Sequence, residues 1–130
     1  MKSLLALAAT AALAAGAAYA DCPYPAAPDK LPDGASATMQ DMLAGQKAVA
    51  DYNKAVNDYV ACIDKEVDDA LAKGGDKIKP EQKADMQRVE TQKHNAAIDK
   101  LQTVADRFNE QVKVLGQVRG RQEALSAHAR

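Results

Sequence analysis

From Thr38 to Lys73 the chain carries an apolar repeat that only an amphipathic helix satisfies. Met42, Val49, Val56 and Ile63 recur every seven residues, and Tyr52 and Tyr59 fill the other seam position. Steps of three and four therefore alternate down one face, the spacing that keeps a helix seam against a partner. Thr38 followed by Asp41 reads as a capping box, and Gly74-Gly75 supplies the stop. Gly45 is the one weak residue inside. Such a helix is about 50 Å long and needs a partner of similar length.

The partner follows directly. After a short polar link from Asp76 to Lys79, Pro80 and Glu81 make a favourable helix start. A second helix is expected from Pro80 to about Leu115, with Ile98, Leu101, Phe108, Val112 and Leu115 as its seam. Met86, Val89 and Ala105 add to its apolar positions, and His94 lies in the polar middle of the run. Gly116 and Gly120 interrupt the tail from Gln117 to Arg130, which reads as a separate or frayed helical piece. A short link between helices of equal length makes them antiparallel neighbours. Ile63 is then expected to face the Val89 region, Val56 the Ala97 region and Val49 the Val104 region. The expected fold is all-α: an antiparallel, coiled-coil-like two-helix hairpin over residues 38–130, with helix 1 over 38–73 and helix 2 over 80–115.

The N-terminus has the grammar of an export leader. A cationic start at Lys2 precedes an uncharged Leu/Ala-rich run from Leu4 to Ala18, and Ala18-Tyr19-Ala20 is a small-x-small cleavage signal. The expected leader is residues 1–20, cut between Ala20 and Asp21. The run is short for a membrane span, which needs about 20 apolar residues. No later segment is apolar enough to stop transfer, so no membrane span is expected after leader removal. Asp21 before Cys22 argues against a lipid-modified cysteine, which wants a small residue at that place. The expected location is periplasmic or secreted. Leader removal takes one of 17 Lys+Arg and none of 18 Asp+Glu, leaving 16 against 18 and a net charge of −2. That lacks the basic footprint of a nucleic-acid binder.

Residues 21–37 read as an extended, proline-rich arm: Pro23, Pro25, Pro28 and Pro32 each push the preceding residue toward extended geometry, and Pro32-Asp33-Gly34 is a turn sequence. The only two cysteines, Cys22 and Cys62, are expected to form a disulfide in an oxidising compartment. Helix from Thr38 to Cys62 covers about 36 Å, and the arm from Cys22 to Thr38 spans roughly 50 Å at polyproline pitch, so the pair can meet with slack. No C-x-x-C is present to suggest a redox-active pair.

Residues able to carry chemistry are few. Glu90 and His94 make an E-x-x-x-H spacing on one helix face, short of the three or four ligands a metal site needs. Met39, Met42 and Met86 are soft donors, but in an antiparallel pair Met42 and Met86 fall near opposite ends. Asp64, Glu66, Asp68 and Asp69 lie on a helix and not in a glycine-turned calcium loop. Arg119, Arg121 and Arg130 make a mildly basic tail. The mature serines, Ser36 and Ser126, have no histidine placed to activate them. No catalytic residue, cofactor or metal site is expected.

Three stretches carry a family resemblance: Cys22-Pro23 with Pro32-Asp33-Gly34 and Ala37-Thr38-Met39; Val49-Ala50-Asp51-Tyr52 with Tyr59-Val60-Ala61-Cys62; and Val104-Ala105-Asp106-Arg107-Phe108-Asn109-Glu110-Gln111-Val112. In these the chain resembles a family of small exported proteobacterial proteins with no assigned activity. The resemblance implies a disulfide-clamped helical hairpin and adds no catalytic residue.

The functional expectation is a non-enzymatic exported protein that acts through helix-mediated association, with itself as a homodimer or with an envelope partner. Val60, Val67, Val104, Val114 and Val118 lie off the main seam, to be covered by Tyr24 and Leu31 or by a second copy; the sequence is compatible with both. The alternatives are an ATP-independent periplasmic chaperone that holds unfolded clients and a metal-responsive helical protein centred on Glu90 and His94. Helical-hairpin chaperones of the periplasm are often basic and carry an L-T-x-x-Q motif; this chain is slightly acidic and has no such motif.

Overall fold

A computed structural model describes residues 22–129. The expected leader, its cleavage site, Asp21 and Arg130 lie outside the described residues. Among the described residues the protein is all-α, with helix α1 at Met39–Gly74, a short 3-10 turn at Gly75–Lys77 and helix α2 at Pro80–His128. No helix among them is long and apolar enough to cross a membrane.

The ends of α1 are set by local chemistry. Thr38 Oγ1 accepts from the Asp41 amide, and the Asp41 carboxylate accepts from the Thr38 amide and hydroxyl. The Thr38 hydroxyl, followed by its amide, holds the Asp41 carboxyl below its ordinary value. At the other end Gly75 has φ 48°, a left-handed conformation that costs glycine little, and its N–H donates to the Leu71 carbonyl. Ile78 then folds back on Gly74: a Cβ there would meet Ile78 Cδ1 at 2.1 Å. Pro80 is the first residue of α2, and the Lys79 amide donates to Gln82 Oε1.

One core joins the two helices. Tyr52, Val56, Tyr59 and Ile63 of α1 cluster with Ala97 and Val104 of α2, and Cys22, Ala27, Val49, Val60 and Leu101 pack around them. Met42, Gly45 and Phe108 are also buried. Gly45 is a contact point and not a weak spot: a Cβ there would lie 2.6 Å from Pro32 Cδ and 2.9 Å from Phe108 Cε2. Its missing side chain is what lets both rings reach the helix.

Two expectations for α2 are corrected. The seam does not run through Ile98 and Val112, which are 37% and 46% exposed; Ala97 and Val104 take the buried positions with Phe108, while Leu101 and Leu115 are half-buried. Tyr52 and Tyr59 project from α1 into this interface and leave room for a small residue, so fully buried Ala97 fits where isoleucine would overfill. α2 also does not stop near Leu115 but continues to His128. Gly116 and Gly120 each cost about 1 kcal/mol against alanine. Around them Gln117, Arg119, Arg121, Gln122, Glu123, Ala124 and Leu125 are good helix formers.

Residues 22–38 have no regular helix or strand. Cys22 is bonded to Cys62, with Cα atoms 5.8 Å apart. Tyr24 meets Tyr59 edge to face at a centroid distance of 5.1 Å. Asp33 organises a turn, its carboxylate accepting from the Ala35 amide and the Ser36 hydroxyl and its carbonyl from the Ser36 and Ala37 amides. The Gly34 amide donates to Gln111 Oε1 at 2.9 Å. A Cβ on Gly34 would sit 2.0 Å from the Gln111 carbonyl oxygen, so only glycine allows this approach to α2.

Candidate interaction face

The two flanks of the helix pair differ in what covers them. On one, the N-terminal segment lies over the helices: Pro23, Tyr24 and Pro25 share a cleft with Ala55, Tyr59 and Cys62, and Leu31 and Pro32 lie over Ala44, Gly45 and Ala48. Helical geometry places these α1 positions about 100° or more from Gln46, Ala50 and Asn53. On that second side nothing among the described residues covers the seam.

The uncovered side holds a groove of about 420 Å³. Its floor is Val49, Leu101, Ala105 and Phe108, and its rim is Ala50, Gln46, Asn53, Gln102 and Asn109. None of these residues is charged. The clefts beside the N-terminal segment contain Asp29, Lys30, Asp33 and Arg107, or Asp41, or Asp58. The cleft at the far end, between Ile63, Val67, Met86 and Val89, contains Glu66, Asp85, Glu90 and Lys93. Leu43, seven residues before Ala50, and Ile98 and Val112, seven residues to either side of Ala105, are exposed, and helical spacing puts them on the groove's side of each helix. The outward flank of α1 is the opposite in kind: Lys47–Asp51 and Lys54–Asp58 form i,i+4 ion pairs there, with all four side chains well exposed.

Two tyrosines sit under the N-terminal segment. Burial, and then the Tyr24 phenol, raise the pKa of Tyr52 and of Tyr59 above the ordinary phenol value. Tyr52 Oη is fully enclosed without a hydrogen-bond partner among the described residues.

The remaining polar candidates are dispersed. Ser36 Oγ donates to Asp33, and Ser126 Oγ donates to the Glu123 carbonyl. His94 is half-buried and His128 is exposed at the end of α2. Both cysteines are joined to each other. Met42 is buried, Met39 exposed, and Met86 lines the far cleft with Ile63. Among the described residues no group of three or more His, Cys, Asp or Glu side chains is placed to hold a metal ion.

Among the described residues Glu90 is the one carboxylate whose pKa is raised. Partial burial first, then Asp64 and Asp68 of α1, raise its pKa above 4.5, while His94 acts in the opposite sense. A raised folded-state pKa means the fold prefers the protonated acid. Its contribution is therefore fully present below the unfolded value and is lost as pH rises through the folded one. At neutral pH the ionised Glu90 works against the packing of α2 on α1. Glu90→Gln accordingly raises stability at pH 7 by about 0.5 kcal/mol, the scale of a partly screened like-charge contact. The gain shrinks as pH falls through the raised folded-state pKa and is gone below the unfolded value. Urea titrations of both proteins at pH 7 and pH 4 measure the difference.

No family model, curated protein or solved structure matches this chain.

Proposed function

We propose that the protein is an exported, non-enzymatic helical hairpin that works by helix-mediated association, with itself or with a cell-envelope partner. In this reading α1 and α2 run antiparallel, and the proline-rich N-terminal segment is an arm clamped along one flank by the Cys22–Cys62 bond. The antiparallel course is supported by the neighbours of α1. Gly45, near its start, lies against Phe108, and Ile63, further along, shares a cleft with Val89 and Met86. As numbering rises on one helix it falls on the other. Export is supported by the disulfide, which persists in oxidising compartments, and by the leader read in residues 1–20.

The observation that carries the association reading is the uncharged groove between Val49, Ala50, Leu101 and Ala105, left open beside exposed Leu43, Ile98 and Val112. A monomer built for water alone puts charge on such a face, as this chain does on the Lys47–Asp58 flank. The test is a photo-cross-linking side chain at position 43 of the full-length protein, exported in its own cells. Illumination is expected to give a discrete covalent adduct from position 43 and none from position 65, where an exposed Lys65–Asp69 ion pair lies beyond the groove. Absence of any adduct from positions 43, 46 and 112 alike contradicts the association reading.

A further inference from the structure

We propose that the groove face is the contact between two copies of this chain, related by a two-fold axis. This rests on the association reading above and names its occupant.

The face is made of two heptad-spaced double rows. On α1 it comprises Leu43, Gln46, Ala50, Asn53, Asn57 and Val60; on α2, Asn95, Ile98, Gln102, Ala105, Asn109 and Val112. Every one is exposed or half-buried, and none is charged. With 27% of the chain charged, twelve such positions would carry about three charges (0.27 × 12), and solvent-facing helix positions more than that. The charges begin at the edges, with Lys47, Lys54, Asp99, Asp106 and Lys113 exposed around the face.

A two-fold contact explains this pattern better than a different partner does. In an isologous interface a surface meets its own copy, so any charge near the axis is brought close to a like charge. Like charges juxtaposed in an interface cost several kcal/mol. A self-contact must therefore be charge-free at its centre and is free to be charged at its rim, which is the distribution here. A charged partner, whether nucleic acid, anionic lipid or a basic or acidic protein, would favour the opposite sign on the face. The two helices also present matching sets: each row has one large aliphatic residue, one glutamine, one alanine, two asparagines and one valine. Ala50 and Ala105 provide depressions that receive Leu43, Ile98 or Val112 of the other copy, and asparagine and glutamine can donate to and accept from their own kind.

Size agrees with a modest dimer. Residues 43–60 of one helix span about 26 Å, and two packed helices are roughly 20 Å across. The face then offers about 500–600 Å² per copy, near the lower limit for a specific interface. The expected product is a four-helix assembly with a dissociation constant in the micromolar range, on the order of 10 µM.

The test is sedimentation equilibrium of the oxidised protein, without its leader, from about 1 to 200 µM, a range that brackets such a constant. Wild type is expected to pass from one to two chain masses. The double variant Ile98→Lys/Val112→Lys is expected to bind itself about 100-fold more weakly. An equimolar mixture of it with Ile98→Glu/Val112→Glu is expected to recover the dimer, because unlike faces then meet. Lys65→Glu, beyond the face on α1 where Lys65 pairs with Asp69 in solvent, is expected to change nothing. Thermal melts check that the variants fold, and Leu43→Lys, on the other helix, replaces any that does not. A wild type that stays at one chain mass overturns the proposal; photo-adducts to other proteins in cells would still uphold association in that case. A dimer indifferent to the charged variants also overturns it, since the copies would then meet elsewhere.

Discussion

Replacing both Cys22 and Cys62 with serine is expected to lower the stability of the folded protein by about 4 kcal/mol. The bond closes a loop with a sequence separation of 40 residues, and opening it restores the freedom of that loop to the unfolded chain. The loss falls on a small domain whose total stability is on the order of 5–15 kcal/mol. What else is lost is local: the Tyr24 ring leaves Tyr59, and the cover over Ala55 and Cys62 lifts. The helix ends keep their own devices, the Thr38–Asp41 box and the Gly75 stop, because neither touches the disulfide. Circular dichroism under native conditions should therefore retain much of the helix while the urea midpoint falls. An unchanged midpoint would mean that the bond does not constrain the fold. Loss of nearly all helix would mean that the helix pair has no stability without it.

Phe108→Ala is expected to cost about 3 kcal/mol, the lower end of the range for a buried aromatic residue. Phe108 is 8% exposed, packs on the bare backbone of Gly45 beside Pro32, and forms part of the groove floor. Val112 is one turn further along the same helix and 46% exposed, so Val112→Ala should cost less than about 0.5 kcal/mol when measured dilute, as monomer. The contrast between neighbours tests the phase of α2. Similar losses at both positions would place the seam between them, on the line through Ile98 and Val112.

That phase is where the sequence was hardest to read. On α1 the heptad spacing picks out one line: Met42, Tyr52, Val56, Tyr59 and Ile63 are buried and Val49 is half-buried. On α2 two apolar lines share Leu101, Phe108 and Leu115. One passes through Ile98 and Val112 and the other through Ala97 and Val104. Side-chain size favours the first, but the bulky tyrosines arriving from α1 select the second, and that information lies in the other helix. The same reasoning covers Gly45 and Gly34. Helix propensity makes Gly45 a weak residue, and turn chemistry makes Gly34 part of a Pro-Asp-Gly turn. Their packing against Pro32, Phe108 and the Gln111 carbonyl depends on chain segments far away in sequence. By contrast the Thr38–Asp41 box, the Pro80 start and the cysteine pairing rest on short-range chemistry or on a count of two, and each was legible.

The candidate face was legible only in part. Of the valines read as lying off the seam only Val60 belongs to this face, and Val104 is buried in the core instead; the asparagines and glutamines between Leu43 and Val112 read as ordinary solvent-facing residues. They acquire meaning once α1 and α2 are side by side and the N-terminal segment lies on the far flank. The face is composite: neither helix has it alone.

Everything functional therefore depends on the two helices lying antiparallel. The most direct test is a pulsed electron-resonance measurement with non-cysteine spin labels at position 40 of α1 and at position 113 or 83 of α2, leaving the disulfide intact. The antiparallel pair predicts a separation under about 20 Å between positions 40 and 113, set by helix packing. It predicts about 45 Å between positions 40 and 83, set by 30 residues of helical rise. A short 40–83 distance with a long 40–113 distance, or two broad distributions, would contradict the hairpin and with it the face.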